Sequence, residues 1–137
     1  MKLNTIEEAI QDYKNGKFVI IVDDEDRENE GDITLAADFI TPEKINFMAL
    51  NARGLICVAI DGKILNKLNI PLMVDESNDS NYTAFTVSVD YIPGTTTGIS
   101  AEDRSKTVQG LIVIMQIVQC FRSPGTYSQS NIEKVVF

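Results

Sequence analysis

Lys17-Phe-Val-Ile-Ile-Val22, Asp23-Asp-Glu-Asp-Arg-Glu-Asn-Glu-Gly-Asp32 and Ile33-Thr-Leu-Ala-Ala37 follow one another without a gap. Two apolar runs of strand length flank ten residues, of which seven are acidic and one, Arg27, is basic. Those ten residues alone carry −6 of the chain's net −8. Carboxylates packed that densely repel one another unless a cation sits among them. A hard divalent ion, which prefers oxygen ligands, and Arg27 itself are the two candidates. The plainer reading is a solvated hairpin loop, since most charge runs are solvated faces. A calcium-binding EF-hand loop is excluded: counted from Asp26, Gly31 takes the sixth position, but Ala37 stands at the twelfth, where a bidentate Glu is required.

Outward from this stretch the chain alternates helices and strands. Thr5-Ile-Glu-Glu8 has capping-box spacing, Ile6, Ala9, Ile10 and Tyr13 recur at helical intervals, and Gly16 supplies a stop, which predicts a helix over 6–15. Strands follow over 17–22 and 32–38. Thr41-Pro42-Glu43 is a helix start, with Ile45, Met48 and Ala49 inward and Gly54 closing it. Leu55-Ile-Cys-Val-Ala-Ile60 reads as a buried strand, 62–69 as a short helix, and 71–82 as a polar loop. Ala84-Phe-Thr-Val-Ser-Val-Asp90 alternates as a strand does. After the hydroxyl-rich turn Pro93-Gly-Thr-Thr-Thr-Gly98, Ser100-Ala-Glu-Asp103 caps another helix. Without repeats or a linker, this order predicts one α+β domain, a mixed sheet flanked by helices in an α/β sandwich.

Composition narrows the function. At 44% hydrophobic and 23% charged, 137 residues suit one soluble domain. Excess acid argues against a nucleic-acid surface. No apolar run reaches the roughly 18 residues of a membrane span, and no signal peptide opens the chain. Two cysteines make no disulfide framework, so a cytoplasmic setting is expected. There is no histidine, which excludes any mechanism needing an imidazole from these residues.

Two further constellations carry chemistry. Thr95-Thr-Thr-Gly-Ile-Ser-Ala-Glu-Asp-Arg104 places hydroxyls and a glycine before a helix N-terminus, which suits either an anion or simple capping, with Arg104 available for a charged hydrogen bond. Cys57 lies inside an apolar run, where a thiol is usually a small buried hydrophobe rather than a nucleophile.

Together with Gly54-Leu-Ile-Cys57 and Thr83-Ala-Phe-Thr86, the acidic stretch and Thr96-Thr-Gly-Ile-Ser-Ala-Glu-Asp-Arg104 stand in an order and spacing that resembles the 3,4-dihydroxy-2-butanone 4-phosphate synthases of riboflavin biosynthesis. The resemblance runs from about residue 5 to residue 108, and the first motif is highly specific. It implies conversion of D-ribulose 5-phosphate to 3,4-dihydroxy-2-butanone 4-phosphate and formate, with Mg2+ or Mn2+, in a homodimer. It also implies Arg27 and Asp32 as substrate contacts and Glu28 as a metal ligand that also faces the substrate. Glu30 and Cys57 would line the catalytic site, and the turn bearing Thr95, Thr97 and Ser100 would lie near the sugar phosphate. Such chemistry needs a Lewis acid on enediolate oxygens and carboxylates to move protons.

Beyond Gln109 the sequence departs from that family. Residues 1–110 read as the N-terminal part of an incomplete family domain, and residues 111–137 as a tail foreign to it. The family continues with Arg-Pro-Gly-His-Ile-Phe-Pro and, later, a Gly-His-Thr-Glu that supplies a second metal ligand. Here Ser123-Pro-Gly-Thr-Tyr-Ser-Gln129 stands instead. Read two bases later, permitted codons for that segment spell Pro-Gly-His-Ile-Phe-Pro, and those for residues 134–137 spell Gly-Gly-Val at the family's spacing. A frameshift near residues 109–111 is therefore expected, and with it little synthase activity. Two alternatives stand beside the enzyme: a non-catalytic relic or dimer partner of an intact synthase, and an acidic module that binds divalent cations. Sequencing the encoding DNA checks the frameshift: one inserted or deleted base should restore the family motif, and its absence would refute the expectation.

Overall fold

A computed structural model of the chain describes residues 3–24, 26, 29–74, 84–120 and 132–136, with side chains through residue 115. Helix α1 (Ile6–Lys14) begins with the predicted capping box: Thr5 Oγ accepts from the Glu8 amide at 3.2 Å, and Glu8 Oε2 accepts from the Thr5 amide at 2.9 Å. It ends at Gly16, whose φ of 66° favours glycine, and where a Cβ would sit 2.7 Å from the Phe39 ring. Strands β1 (Val19–Val22) and β2 (Gly31–Thr34) form an antiparallel hairpin that sets Ile21 opposite Asp32 and Val22 opposite Gly31. β2 is shorter than predicted. After Thr34 the chain turns inward, and Ala37–Phe39 form one turn of 3-10 helix that delivers Ile40 to the core.

Thr41 caps α2 (Pro42–Asn51) by accepting from the Lys44 amide at 3.3 Å. Strand β3 (Cys57–Asp61) leads directly into α3 (Gly62–Leu68), whose cap is Asp61, accepting from the Lys63 amide at 2.8 Å. The long helix α4 spans Ala101–Cys120, and β4 (Ile132–Val136) pairs antiparallel with β3, Cys57 opposite Val136. Both α4 and β4 therefore extend into the stretch read as a foreign tail. Where a strand is predicted over 84–90, only Phe85 and Thr86 lie in β-bridges, Thr86 opposite Leu72, and Met73 and Val87 donate their amides to Phe85 O and Pro71 O. Its alternation is real, but a strand exists only through a partner, and residues 87–90 take none in a ladder among the described residues. The architecture is α+β, with helices flanking an open sheet that, among the described residues, comprises two separate antiparallel pairs.

Two apolar clusters hold these elements. Ile60, Ile64, Leu65 and Leu111 form one; Ile40, Ile45, Ile56 and Val108 form the other; and Val58 packs against both. Helix α4 serves each with a different face: Val108 and Ile112 enter the second cluster, Leu111 and Met115 the first. These positions fall three and four apart, the spacing that aligns side chains along a helix.

The hairpin is attached from below. Tyr13 donates its hydroxyl to Thr34 Oγ, which donates to Val19 O at 2.7 Å. Lys44 Nζ donates to Gly16 O at 2.9 Å, and the Phe18 and Phe47 rings stack at 4.8 Å. Because Ile60 is only 1% exposed and Ile20 is 65% exposed, their truncations should differ sharply. Ile60→Ala is expected to cost about 2–5 kcal/mol, and Ile20→Thr to stay within roughly 0.5 kcal/mol. Urea denaturation of the two variants checks this.

Candidate functional site

The acidic stretch joins β1 to β2, as its flanking runs predict, with Gly31 and Asp32 inside β2. The Asp23 amide donates to Glu30 O at 3.0 Å, closing the loop one pair beyond the strands. The Asp24 amide donates to Asp23 Oδ1 at 2.8 Å, and Asn29 takes a left-handed φ of 51°, which its short polar side chain tolerates. Strand alternation puts Asp32 on the face that carries Thr34, and continues it to Glu30. Both carboxylates are exposed at the open end of the hairpin. Arg27 and Glu28, which the resemblance places on substrate and metal, lie outside the described residues.

The donor set is of the right class for a hard cation, oxygen throughout. Yet among the described residues no three Asp, Glu or Cys side chains converge closely enough to hold a metal ion. The described part of the loop therefore does not make a metal site by itself.

Cys57, at the start of β3, is half-buried and lines a small void of about 40 Å³ with core residues including Ile45, Ile56 and Val108. That is the setting of a small hydrophobe. Among the described residues no strand pairing joins β3 to the acidic hairpin.

The hydroxyl-rich turn is the better-defined half. Thr95, Thr97 and Ser100 are brought together there, Thr97 and Ser100 exposed and Thr95 half-buried. Ser100 caps α4 by accepting from the Asp103 amide at 3.0 Å. Thr95 donates its hydroxyl back to Tyr91 O. Two amides and a hydroxyl of the turn that could otherwise receive an external anion are engaged from within. Asp103, 2% exposed, accepts from the Thr96 amide at 3.2 Å, the Thr96 hydroxyl at 2.8 Å and the Gly98 amide at 3.1 Å. Gly98 is itself buried at φ 79°, with the Asp90 carboxylate where a Cβ would project.

Further ties bind the turn to the helix. Thr107 Oγ accepts from the Tyr91 amide at 3.1 Å and donates to Asp103 O at 3.0 Å. Lys106 donates to Gly94 O at 2.8 Å while pairing with Glu102 at 3.2 Å. Arg104 is half-buried, with its Nε enclosed and without a partner among the described residues. Sequence pattern does not single out Asp103 and Thr107 as site residues. The signal available is an acid at the third helical position with Thr96 and Gly98 upstream, a pattern that also fits ordinary capping.

The model of the 3,4-dihydroxy-2-butanone 4-phosphate synthase family matches residues 7–129. The chain belongs to that family. It is 58% identical over 125 residues to the 3,4-dihydroxy-2-butanone 4-phosphate synthase of Agrobacterium fabrum, covering 91% of this chain and 59% of that protein. It is also 58% identical over 108 residues to the riboflavin biosynthesis protein RibBA of Synechocystis, covering 77% of this chain and 19% of that one. A solved family structure in complex with two magnesium ions superposes with TM-score 0.72 at 34% identity, over 98% of this chain and 60% of its own. The two-domain RibBX of A. baumannii gives TM-score 0.70 at 45% identity, over 80% of this chain and 32% of its own. The chain thus spans less than two thirds of these relatives, and the family match continues past residue 110 into the stretch expected to lie outside it. Among the described residues no helix is long and apolar enough to cross a membrane.

The Thr96 hydroxyl holds the Asp103 carboxyl below its usual range. The Thr96 and Gly98 amides and Ser100 act in the same direction, and burial opposes them. A lowered carboxyl pKa contributes stability that is complete above the unfolded value of about 4 and is lost as pH falls through the folded value. In urea titrations the chain should therefore be more stable than Asp103→Asn at neutral pH. That gap should close on acidification below about pH 4, and a gap constant with pH would contradict the assignment.

Proposed function

We propose that this chain carries part of a site that converts D-ribulose 5-phosphate into 3,4-dihydroxy-2-butanone 4-phosphate and formate. The observation that carries the reading is family membership over residues 7–129, with the acidic motif standing inside that match. Arg27 supplies a guanidinium for the anionic substrate, a charge-assisted contact stronger than a neutral hydrogen bond. Asp32 contacts the sugar, and Glu30 is the carboxylate placed to move protons beside the carbonyl. Cys57 borders the same space, and the turn bearing Thr95, Thr97 and Ser100 lies near the phosphate end. Mg2+ or Mn2+, held through Glu28, supplies Lewis acidity when bound. The complete enzyme of this reading is a homodimer.

The chain holds no histidine, and the resemblance assigns the second metal ligand to one. The 137 residues by themselves are therefore expected to release little formate, and the frameshift is the proposed origin of the altered sequence after Gln109. A second reading, a non-catalytic partner of an intact subunit, draws on the exposed apolar residues Ile20, Ile21 and Val22 of the hairpin.

Calorimetric titration tests the proposal. Mg2+ should bind more tightly when ribulose 5-phosphate is present, and Glu28→Gln should weaken it by more than about tenfold. Equal affinity with and without the sugar phosphate would favour a plain cation-binding module. Formate release at the rate of a full-length relative would overturn the expected inactivity.

A further inference from the structure

We infer that Asp103 is a positioning residue: its carboxylate is the resident anion at the head of α4, shaping the turn and leaving Thr97 and Ser100 as its outward-facing hydroxyls. The inference deepens the proposed function, because it rests on the reading of this turn as the neighbour of the sugar phosphate.

The first turn of a helix offers unpaired N–H groups and a positive dipole end, both favouring negative charge. In most anion sites that capacity meets a ligand. Here the Asp103 amide is met by Ser100 Oγ, and the Asp103 carboxylate reaches back to the amides of the turn that precedes the helix. Asp103 is buried and accepts three hydrogen bonds from Thr96 and Gly98, so both amides and one hydroxyl of the turn are satisfied without any ligand. Gly98 is closed off on its other side by the Asp90 carboxylate, a second negative group facing the same residue. A phosphate entering at these amides would have to displace one buried carboxylate and approach another.

What the turn still presents is different in kind. Ser100 Oγ accepts from the Asp103 amide and keeps its own proton to donate. Thr97 is exposed, with no hydrogen-bond partner among the described residues. Thr95 is turned back onto Tyr91 O and serves the turn rather than a ligand. The phosphate end of a substrate is therefore met by two hydroxyls held in place, and not by the Thr96 and Gly98 amides. Asp103 acts through them and does not touch the ligand.

Amide signals of the 15N-labelled 137-residue chain, followed with inorganic phosphate at constant ionic strength, test this. In the unaltered chain the Thr96 and Gly98 amides should not shift. In Asp103→Ala their hydrogen exchange should accelerate by about tenfold or more, the loss of a charged hydrogen bond. The amides of α2 should be unaffected. Phosphate, but not chloride, should partly reverse that acceleration, a rescue that a merely structural role would not show. Thr96 and Gly98 amides that titrate with phosphate in the unaltered chain, or unchanged exchange in Asp103→Ala, would overturn the inference. Should Asp103→Ala fail to fold, Asp103→Asn, which keeps one acceptor oxygen, takes its place in the exchange measurement: acceleration supports the inference and unchanged exchange overturns it. Ribulose 5-phosphate added together with Mg2+ to the unaltered chain separates this from the substrate reading. Silence at Thr97 and Ser100 would sink the latter and leave the exchange result on Asp103 standing.

Discussion

Helix α4 is the constraint from which the described structure hangs. Its residues 108 and 112 close one apolar cluster, and 111 and 115 close the other. Neither cluster is large, and each would lose a wall if the helix shifted by a turn. The same helix fixes the hydroxyl turn at its N-terminus through Asp103, Lys106 and Thr107, and its Gly110 admits the Tyr91 ring, which a Cβ would approach to 2.5 Å. Core packing and turn geometry are therefore coupled within ten residues of one helix. Disturbance at Leu111 reaches the turn through a rigid element and needs no separate path.

The acidic hairpin is held differently. A two-stranded hairpin is marginal by itself in water, and this one presents Ile20, Ile21 and Val22 to solvent. Its order comes from the side of α1 and α2: the Tyr13 hydroxyl on Thr34, the Lys44 ammonium on Gly16 O, and the ring stack of Phe18 with Phe47. All three grip the base of the hairpin, whereas the carboxylates gather at its tip. The tip is thus the part whose own charge opposes closure and whose anchors lie farthest away.

Local chemistry is the part readable from sequence. The Thr5–Glu8 box, the Thr41 and Ser100 caps and the stop at Gly16 involve partners within a few residues, and each forms as its spacing implies. Non-local pairing is not readable in the same way. Residues 84–90 alternate like a strand, yet only Phe85 and Thr86 lie in bridges. β3 pairs with residues 132–136, a stretch that resemblance to the family gives no reason to place there. The site divides along the same line. That the acidic stretch lies between two paired strands follows from pattern, and that Thr95, Thr97 and Ser100 share a turn follows from proximity in the chain. That Asp103 reaches back to Thr96 and Gly98 depends on the path of the intervening backbone, which turns on the left-handed Gly98.

Charge is the last step. At the head of α4 Asp103 takes up the Thr96 and Gly98 amides, with Asp90 beside Gly98, so this end of the proposed site offers hydroxyls, the half-buried Arg104 and a Lys106 already paired with Glu102. At the hairpin, ten residues carry seven acids and one guanidinium. A doubly charged phosphate ester approaching both would meet net repulsion, at an effective dielectric near 20 about 4 kcal/mol for each unit-charge pair at 4 Å. On the proposed reading, then, neither half binds the ester by itself. Arg27 is already counted in the −6 of the hairpin, and one divalent cation brings it to −4, so the two act as local positive charge beside the ester while the hydroxyls of the turn orient it. On that reading, a cation bound at the hairpin first lessens the repulsion that the sugar phosphate meets.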